Sequence, residues 1–235
     1  MDATARNRET RSSQLAFLLG SAGLAAFFIL APGVDLWLSG LFYDSTRGFY
    51  LDGALWVQFF YRLIPPLAAA IAAALLALLA YTQIRERALG PFNTRVVLFL
   101  LAALAAGPGL LVHTVFKDQW GRARPRDIVE FGGDKAFTPA FVISDQCERN
   151  CSFVAGHPSV PFYLLAVALL ARRRRRTLFA GTIGFGALVG LGRIVQGAHF
   201  LSDVVFSGIF VFLVVYLLCR FVFRLDQYCE ETGSD

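Results

Sequence analysis

The sequence predicts an all-α integral membrane protein with six transmembrane helices, an interfacial segment and loops on the outer side. Hydrophobic residues make up 56% of the 235 residues and charged residues only 17%, against roughly 25% charged residues in a soluble domain. The mean hydropathy is +0.57, and the apolar residues form long, uninterrupted blocks. This composition is atypical of a soluble enzyme, a disordered chain or a disulfide-stabilised secreted domain.

Six apolar blocks approach the roughly 20 residues that a helix needs to cross the hydrocarbon core. They cover 14–32, 63–84, 96–116, 152–171, 177–197 and 200–223. Three arginines precede the first block, as in a signal peptide, but no small-x-small cleavage site follows, so a retained helix is predicted. The fourth block begins with Gly156, His157, Pro158 and Pro161. Proline is tolerated in a first helical turn, where its missing N–H has no intrahelical partner.

The flanking basic residues predict the orientation, because cytoplasmic loops carry an excess of Lys and Arg. Six crossings place four basic clusters on one side, which is therefore predicted to be cytoplasmic, as are both termini. The clusters are Arg6, Arg8 and Arg11; Arg85, Arg87 and Arg95; 172–176; and Arg220 and Arg224. The 172–176 run is interpreted as a topology anchor. A bacterial inner membrane fits this asymmetry.

Loops 33–62, 117–151 and 193–199 then lie on the opposite, periplasmic side. Aromatic residues crowd the first loop, and part of 49–61 is expected to lie flat in the outer interface. These aromatic residues are Trp37, Phe42, Tyr43, Phe49, Tyr50, Trp56, Phe59, Phe60 and Tyr61.

The second outer loop breaks the charge rule, since it contains six cations: Lys117, Arg122, Arg124, Arg126, Lys135 and Arg149. An anionic ligand is the obvious reason for cations on this side. The net charge of +5 does not indicate nucleic-acid binding, because the basic residues form short clusters and no extended basic face.

Two of the four cysteines, Cys147 and Cys151, are four residues apart in this outer loop. An oxidising compartment permits a disulfide between them. Cys219 and Cys229 fall in the last helix and the cytoplasmic tail and are not expected partners. A zinc site is not expected, because His157 lacks a fourth ligand at suitable spacing.

Three segments at the outer ends of the helices contain the chemically capable residues: 117–125, 151–157 and 192–203. His199 and Asp203 are four residues apart, so their side chains meet on a helix. A carboxylate holding one imidazole nitrogen leaves the other suited to nucleophilic attack. Such a pair is often only structural. Here, however, all three segments face the same side, and ionisable residues at membrane depth are commonly functional.

The remaining residues complete a site for phosphoryl transfer. His157 follows Gly156, whose bare backbone can approach a ligand and donate an N–H. Lys117, Arg124 and Arg193 suit a phosphate, since arginine presents a planar fork to its oxygens. Nucleophile, acid and cations together predict transfer through a phosphohistidine.

These segments resemble the signature of the type 2 phosphatidic acid phosphatase (PAP2) superfamily. The signature reads Lys-x6-Arg-Pro, Pro-Ser-Gly-His and Ser-Arg-x5-His-x3-Asp. This chain has Lys117-x6-Arg124-Pro125, then 154–157 as Val-Ala-Gly-His, then 192–203 as Gly-Arg-x5-His-x3-Asp. The resemblance implies one six-helix membrane domain over 1–235, with the motifs within 117–203.

The resemblance also implies a role for each matching residue. His199 is then the nucleophile, Asp203 its orienting partner and His157 the general acid. Lys117, Arg124 and Arg193 bind the phosphate, assisted by Gly156. No metal and no cofactor are expected, because cations supply the charge neutralisation that a metal otherwise provides.

Two positions depart from the signature. Ala155 occupies the place of the second-motif serine, which removes a hydrogen bond to the phosphate unless Ser152 or Ser159 compensates. Gly192 replaces a serine with a less direct role. His113 is expected to pack, with substrate contact as the alternative. Four further charged residues near the site are left without roles: Asp118, Arg122, Arg126 and Asp127.

A site at the outer helix ends beside an aromatic segment suits a phosphorylated membrane lipid. The sequence between the first two motifs is somewhat similar to bacterial lipid A phosphatases. Phosphatidylglycerophosphate, phosphatidic acid and a polyprenyl diphosphate are alternatives. The expected reaction is hydrolysis. Transfer to a lipid hydroxyl, or a catalytically weak lipid-binding or transport protein (because of Ala155), are the alternative functions.

Overall fold

The computed structural model describes residues 3–171 and 173–225. Its seven main helices are α1 (Ala3–Leu30), α2 (Gly33–Gly40), α3 (Leu55–Arg85), α4 (Thr94–Gln119), α5 (Gly156–Leu170), α6 (Arg175–Val195) and α7 (Leu201–Val222). The side chains of Arg6, Arg8 and Arg11, together with Arg172 and Cys229, lie outside the described part of the chain.

Each of the six predicted apolar blocks forms a helix, and four of these helices are long and apolar enough to cross a membrane alone. They are α3, α4, α6 and α7. The apolar part of α1 qualifies only together with α2, from which it is bent by 78°, and α5 has fewer than 18 residues. The structure therefore shows a mostly helical chain with four or five candidate spans. Residues 152–155 are not helical, so the fourth block begins four residues late.

Residues 55–61, the later part of the expected interfacial segment 49–61, form the first turns of α3. A short hairpin precedes them, in which Tyr43 pairs with Phe49 and Asp44 with Gly48. Helix α3 continues through Pro65 and Pro66 into the apolar Leu/Ala run. That part of 49–61 lies flat in the outer interface stays a prediction.

Helix α4 is central to the bundle. It begins at the Asn93 cap, whose side chain accepts the Val96 N–H at 3.0 Å, and continues through a π-helical stretch, Ala105–Phe116. Of its most apolar window, 44% is buried inside the protein, against 11% for α3. Helix α4 therefore packs among the other helices, whereas α3 presents most of its surface outward.

Two of the basic clusters lie at the same end of the bundle, because Arg95 donates to the carbonyl of Arg224 at 3.4 Å. The opposite ends of α4, α5, α6 and α7 carry the three motifs. Aromatic rings fill the core beneath them: Phe116 stacks on Phe210 with centroids 4.8 Å apart, and Phe153 packs edge-on against Phe116 at 5.5 Å. This packing fixes the position of the motif residues along the axis of the helix bundle.

Candidate active site

Four helix ends position the predicted site residues. Lys117 lies in the last turn of α4, Gly156 and His157 begin α5, and Arg193 lies near the end of α6. His199 follows in the turn between α6 and α7. Asp203 is in the first turn of α7 and is fully buried, while His199 is 1% exposed.

The direct partner of His199 is a backbone carbonyl. Its Nδ1 lies 2.7 Å from the Ser152 carbonyl oxygen, and since a carbonyl can only accept, Nδ1 carries the proton in the neutral ring. Nε2 then keeps its lone pair.

Asp203 does not hold the imidazole in the predicted way, because its Oδ2 is 3.6 Å from Nδ1, too long for a hydrogen bond. That oxygen instead accepts the Phe200 N–H at 2.8 Å and the Ser152 hydroxyl at 2.5 Å. The Asp203 carboxylate is therefore oriented by its cap on the first turn of α7. It acts on His199 by its charge and through its hydrogen bond with Ser152.

Three cations, Lys117, Arg124 and Arg193, lie near enough to His199 for their charges to act on it. Burial lowers the pKa of His199 well below its ordinary value, and the positive charges of Lys117, Arg193 and Arg124 lower it further. Lys117 and Arg193 are 5% and 7% exposed. Burial and the nearby positive charges therefore both favour the neutral imidazole.

Asn150 connects two of these cations, and the sequence analysis missed it. Its Oδ1 accepts from Lys117 Nζ at 2.8 Å, and its carbonyl accepts from Arg124 Nη2 at 2.6 Å. The predicted disulfide between Cys147 and Cys151 is present in the structure, and the Cys151 N–H donates to the Lys117 carbonyl at 2.9 Å. The disulfide-closed turn thus holds both cations in place.

His157 and Arg193 share an aromatic support from α3. The His157 ring stacks on Tyr61 with centroids 5.0 Å apart, and the Arg193 guanidinium carbon lies 4.8 Å from the Tyr61 ring centroid. Within the described part of the chain, His157 Nε2 and Arg193 Nε are buried without a hydrogen-bond partner. Buried polar atoms are usually paired, so these two nitrogen atoms are available to a ligand.

Close backbone packing explains the glycine of the second motif. A Cβ on Gly156 would lie 2.8 Å from Lys117 Cε and 3.0 Å from His113 Cε1. Ala155 is fully buried, and its N–H donates to the Asp203 carbonyl at 3.0 Å.

Neither serine near Ala155 replaces the missing hydroxyl. Ser152 donates to Asp203, and Ser159 donates to the Gly156 carbonyl at 2.6 Å.

The residues left unassigned divide into three groups. Arg126 and Asp127 are about half exposed, with charged atoms 3.7 Å apart, and Asp118 accepts the Asn150 N–H at 3.3 Å. Arg122 is fully buried and pairs with Asp203 and with Asp35 of α2. Gln196 forms hydrogen bonds with both Arg193 and Asp52.

The signal in the sequence for Asp35 was that it is a lone charged residue within the apolar stretch 33–40. Tyr61 gave no such signal, because it resembles any other aromatic residue at a membrane interface.

Among residues 3–171 and 173–225, no group of three or more His, Cys, Asp or Glu side chains is arranged to hold a metal ion.

Comparison with known proteins gives one family and relatives named for one activity. A family model described as the PAP2 superfamily matches residues 96–227. The lipid A 4'-phosphatase of Francisella tularensis subsp. novicida is 39% identical over 86% of this chain and 92% of its own length. Lipid A 4'-phosphatases of Rhizobium etli and Rhizobium leguminosarum are 33% and 32% identical, over 77% and 83% of this chain and 76% and 91% of their own lengths. No solved structure matches the chain significantly.

Proposed function

Because this chain belongs to the PAP2 superfamily and is a lipid phosphatase, we propose that it hydrolyses the 4'-phosphate of lipid A through a phosphohistidine. The observation that carries the mechanism is the fixed imidazole of His199, whose Nδ1–H donates to Ser152 while the charges of three cations act on it. The activity for which the three relatives are named supports the substrate.

We propose that the chain forms one domain with six crossings of a bacterial inner membrane. The bent α1–α2 pair and the short α5 supply the fifth and sixth crossings beside the four long helices. The Arg95 and Arg224 end is then cytoplasmic by the positive-inside rule. The motif end faces the periplasm, so the substrate's sugar headgroup lies at the outer surface.

In the first chemical step, Nε2 of His199 attacks the phosphorus and forms the N–P bond. The P–O bond to the sugar breaks with its electron pair on the oxygen, which takes a proton from His157. Lys117, Arg124 and Arg193 neutralise the phosphoryl oxygens, and the Gly156 N–H donates to one of them. Water then cleaves the N–P bond, giving its proton to His157 and releasing inorganic phosphate.

The substrate is tested by phosphate release from purified protein with two monophosphorylated lipid A species, one carrying only the 4'-phosphate and the other only the 1-phosphate. Phosphatidic acid, phosphatidylglycerophosphate and undecaprenyl diphosphate complete the panel, all in excess EDTA. We expect release from the 4'-phosphate at least tenfold above every other lipid. Equal rates would refute the specificity. Transfer of the phosphoryl group to a lipid hydroxyl would indicate a transferase. Binding of lipid without turnover would indicate the lipid-binding alternative that Ala155 suggests.

Replacing Ala155 by serine is expected to increase phosphate release about tenfold. A restored hydroxyl would donate to a charged phosphate oxygen, an interaction worth about 1.5–3 kcal/mol. Initial rates at saturating lipid provide the measurement. Gly192→Ser is the matched control, since a Cβ there meets Trp56 at an ordinary 3.6 Å, and its rate should stay within about threefold. A slower Ala155→Ser enzyme would show that this site is built around the smaller residue.

The rate of phosphate release is expected to be maintained when the pH is lowered below 6.5. The attacking ring must be neutral, so kcat/KM falls only as the pH drops through the folded pKa of His199, which burial and the cations hold below its ordinary 6.5. Measuring kcat/KM over a pH series gives the acid limb. The phosphate of the lipid itself ionises at about pH 6, and titrating the lipid by phosphorus NMR distinguishes that ionisation from the one of the enzyme. An acid limb from the enzyme at or above pH 6.5 would contradict this electrostatic arrangement.

A further inference from the structure

A buried charge cluster is connected to His199 through Asp203. Its centre is Arg122, whose side chain is fully buried and whose guanidinium nitrogens are all bonded to groups of the protein. The guanidinium donates to Asp203 Oδ1 at 2.6 Å through Nη1, to Asp35 Oδ2 at 2.9 Å through Nη2, and to the Thr138 carbonyl at 2.8 Å through Nε. It also lies 4.3 Å from the Phe200 ring centroid.

Asp35 contributes a second carboxylate from α2, far outside the three motifs. It is fully buried, and each of its hydrogen-bond partners donates to it. Its Oδ1 accepts the Ser202 N–H at 2.9 Å, and its Oδ2 accepts the Ser202 hydroxyl as well as Arg122. An ionised carboxylate, which only accepts hydrogen bonds, matches this set of donors.

These contacts determine where Asp203 lies. Arg122 holds Oδ1, while the Ser152 hydroxyl and the Phe200 N–H hold Oδ2. The Ser152 N–H donates to the Arg122 carbonyl at 2.8 Å, so the same arginine also positions the segment whose carbonyl binds His199. Arg122 therefore positions both neighbours of the imidazole without contacting it.

The charge of the cluster matches what the proposed reaction creates. When Nε2 forms a bond to phosphorus and Nδ1 keeps its proton, the ring becomes a cationic phosphoimidazolium. Two carboxylates and one guanidinium sum to one net negative charge beside that cation. Without Asp35, Arg122 would cancel Asp203 and the buried cluster would be neutral.

We propose that Asp35 and Arg122 are positioning residues that fix Asp203 and Ser152 around His199 and set the net charge that stabilises the phosphohistidine. This inference rests on the proposed function. It adds to that function two residues on separate segments, one of which lies outside the family motifs.

The test varies the charge in both directions. Asp35→Asn keeps the shape and makes the cluster neutral, Arg122→Gln makes it doubly negative, and the double variant restores one negative charge. The groups that face His199 from the other elements are Lys117, Arg124, Arg193 and Asp203, and none of these changes. Ser207→Ala is the control, because its hydroxyl is buried on α7 without a partner in the described residues.

The decisive readout is the acid limb of the kcat–pH profile, which a purely structural defect would not move. We expect it to shift down by about half a pH unit or more in Asp35→Asn, up in Arg122→Gln, and back toward the original in the double variant, since nearby charges shift a titration in this way. The kcat of Asp35→Asn should fall about tenfold at an unchanged KM. Each single variant predicts its own direction, so either suffices if the other fails to accumulate.

Quenching the reaction with alkali during turnover preserves phosphohistidine. This measurement distinguishes a failure of the proposed function from a failure of this inference alone. Absence of phosphohistidine in the unmodified protein overturns the proposed function and this inference with it. Phosphohistidine in the unmodified protein, together with coincident acid limbs in all variants, overturns this inference alone.

Discussion

Replacing His199 by alanine is expected to lower phosphate release by about 10⁴-fold or more. A nucleophile has no substitute in a covalent mechanism, and losing one in a hydrolase costs rate factors of that order. The His199 side chain is buried, and its ring is held by the Ser152 carbonyl. The measurement is a long-incubation phosphate assay, with lipid binding followed in parallel.

His113→Gln is the matched control, since His113 is the histidine given no part in the proposed reaction, and its rate should stay within about threefold. The binding arm separates chemistry from affinity: we expect His199→Ala to retain lipid binding through Lys117, Arg124 and Arg193. Residual turnover within tenfold of the unmodified enzyme would exclude His199 as nucleophile.

Replacing Gly121 by alanine is expected to destabilise the protein by about 2–4 kcal/mol and to disable the first motif. Gly121 has φ +68°, a left-handed conformation that costs other residues about 1–2 kcal/mol. An added Cβ would also lie 1.6 Å from the Ser144 carbonyl oxygen, so the backbone of 121 or 144 must move. Both outcomes are measured on the detergent-purified protein, as the thermal unfolding midpoint and the phosphate release rate.

Gly181→Ala is the control on a lipid-facing helix, because no atom lies within 4 Å of its added Cβ and alanine favours a helix by about 1 kcal/mol. We expect its midpoint to stay equal or rise slightly. A Gly121→Ala protein that melts like the unmodified one would show that the 121–144 contact relaxes at little cost.

The helical framework was largely predictable, because a membrane span is recorded directly in the chain as a run of apolar residues. The block 63–84 falls within α3. The block 200–223 extends one residue beyond each end of α7. Helix ends were less accurate where polar and aromatic residues mark two environments at once. Tyr61 and Trp56 suit an interface by composition, and in the structure both lie in the first two turns of α3.

Individual site residues were predictable where a short spacing fixed them, as with Lys117, Arg124, His157, Arg193, His199 and Asp203. Their partners were not. The residues that hold the site are separated from it by long stretches of chain: Ser152 from His199, Asn150 from Lys117, Tyr61 from His157. No periodicity connects such pairs, since only the packing of α3, α5 and α6 against each other brings them into contact.

The sequence by itself determined that this protein is a membrane protein, that its cations gather at one end and that a histidine–aspartate pair lies among them, because composition and local spacing carry that information. The tertiary structure alone decided which atom holds the imidazole and which charge balances it. The Ser152 carbonyl, which the spacing of the three motifs does not specify, binds Nδ1, and Arg122 joins Asp35 to Asp203. Hydrogen bonds depend on positions in space to within tenths of an ångström, and those positions follow from how the helices pack.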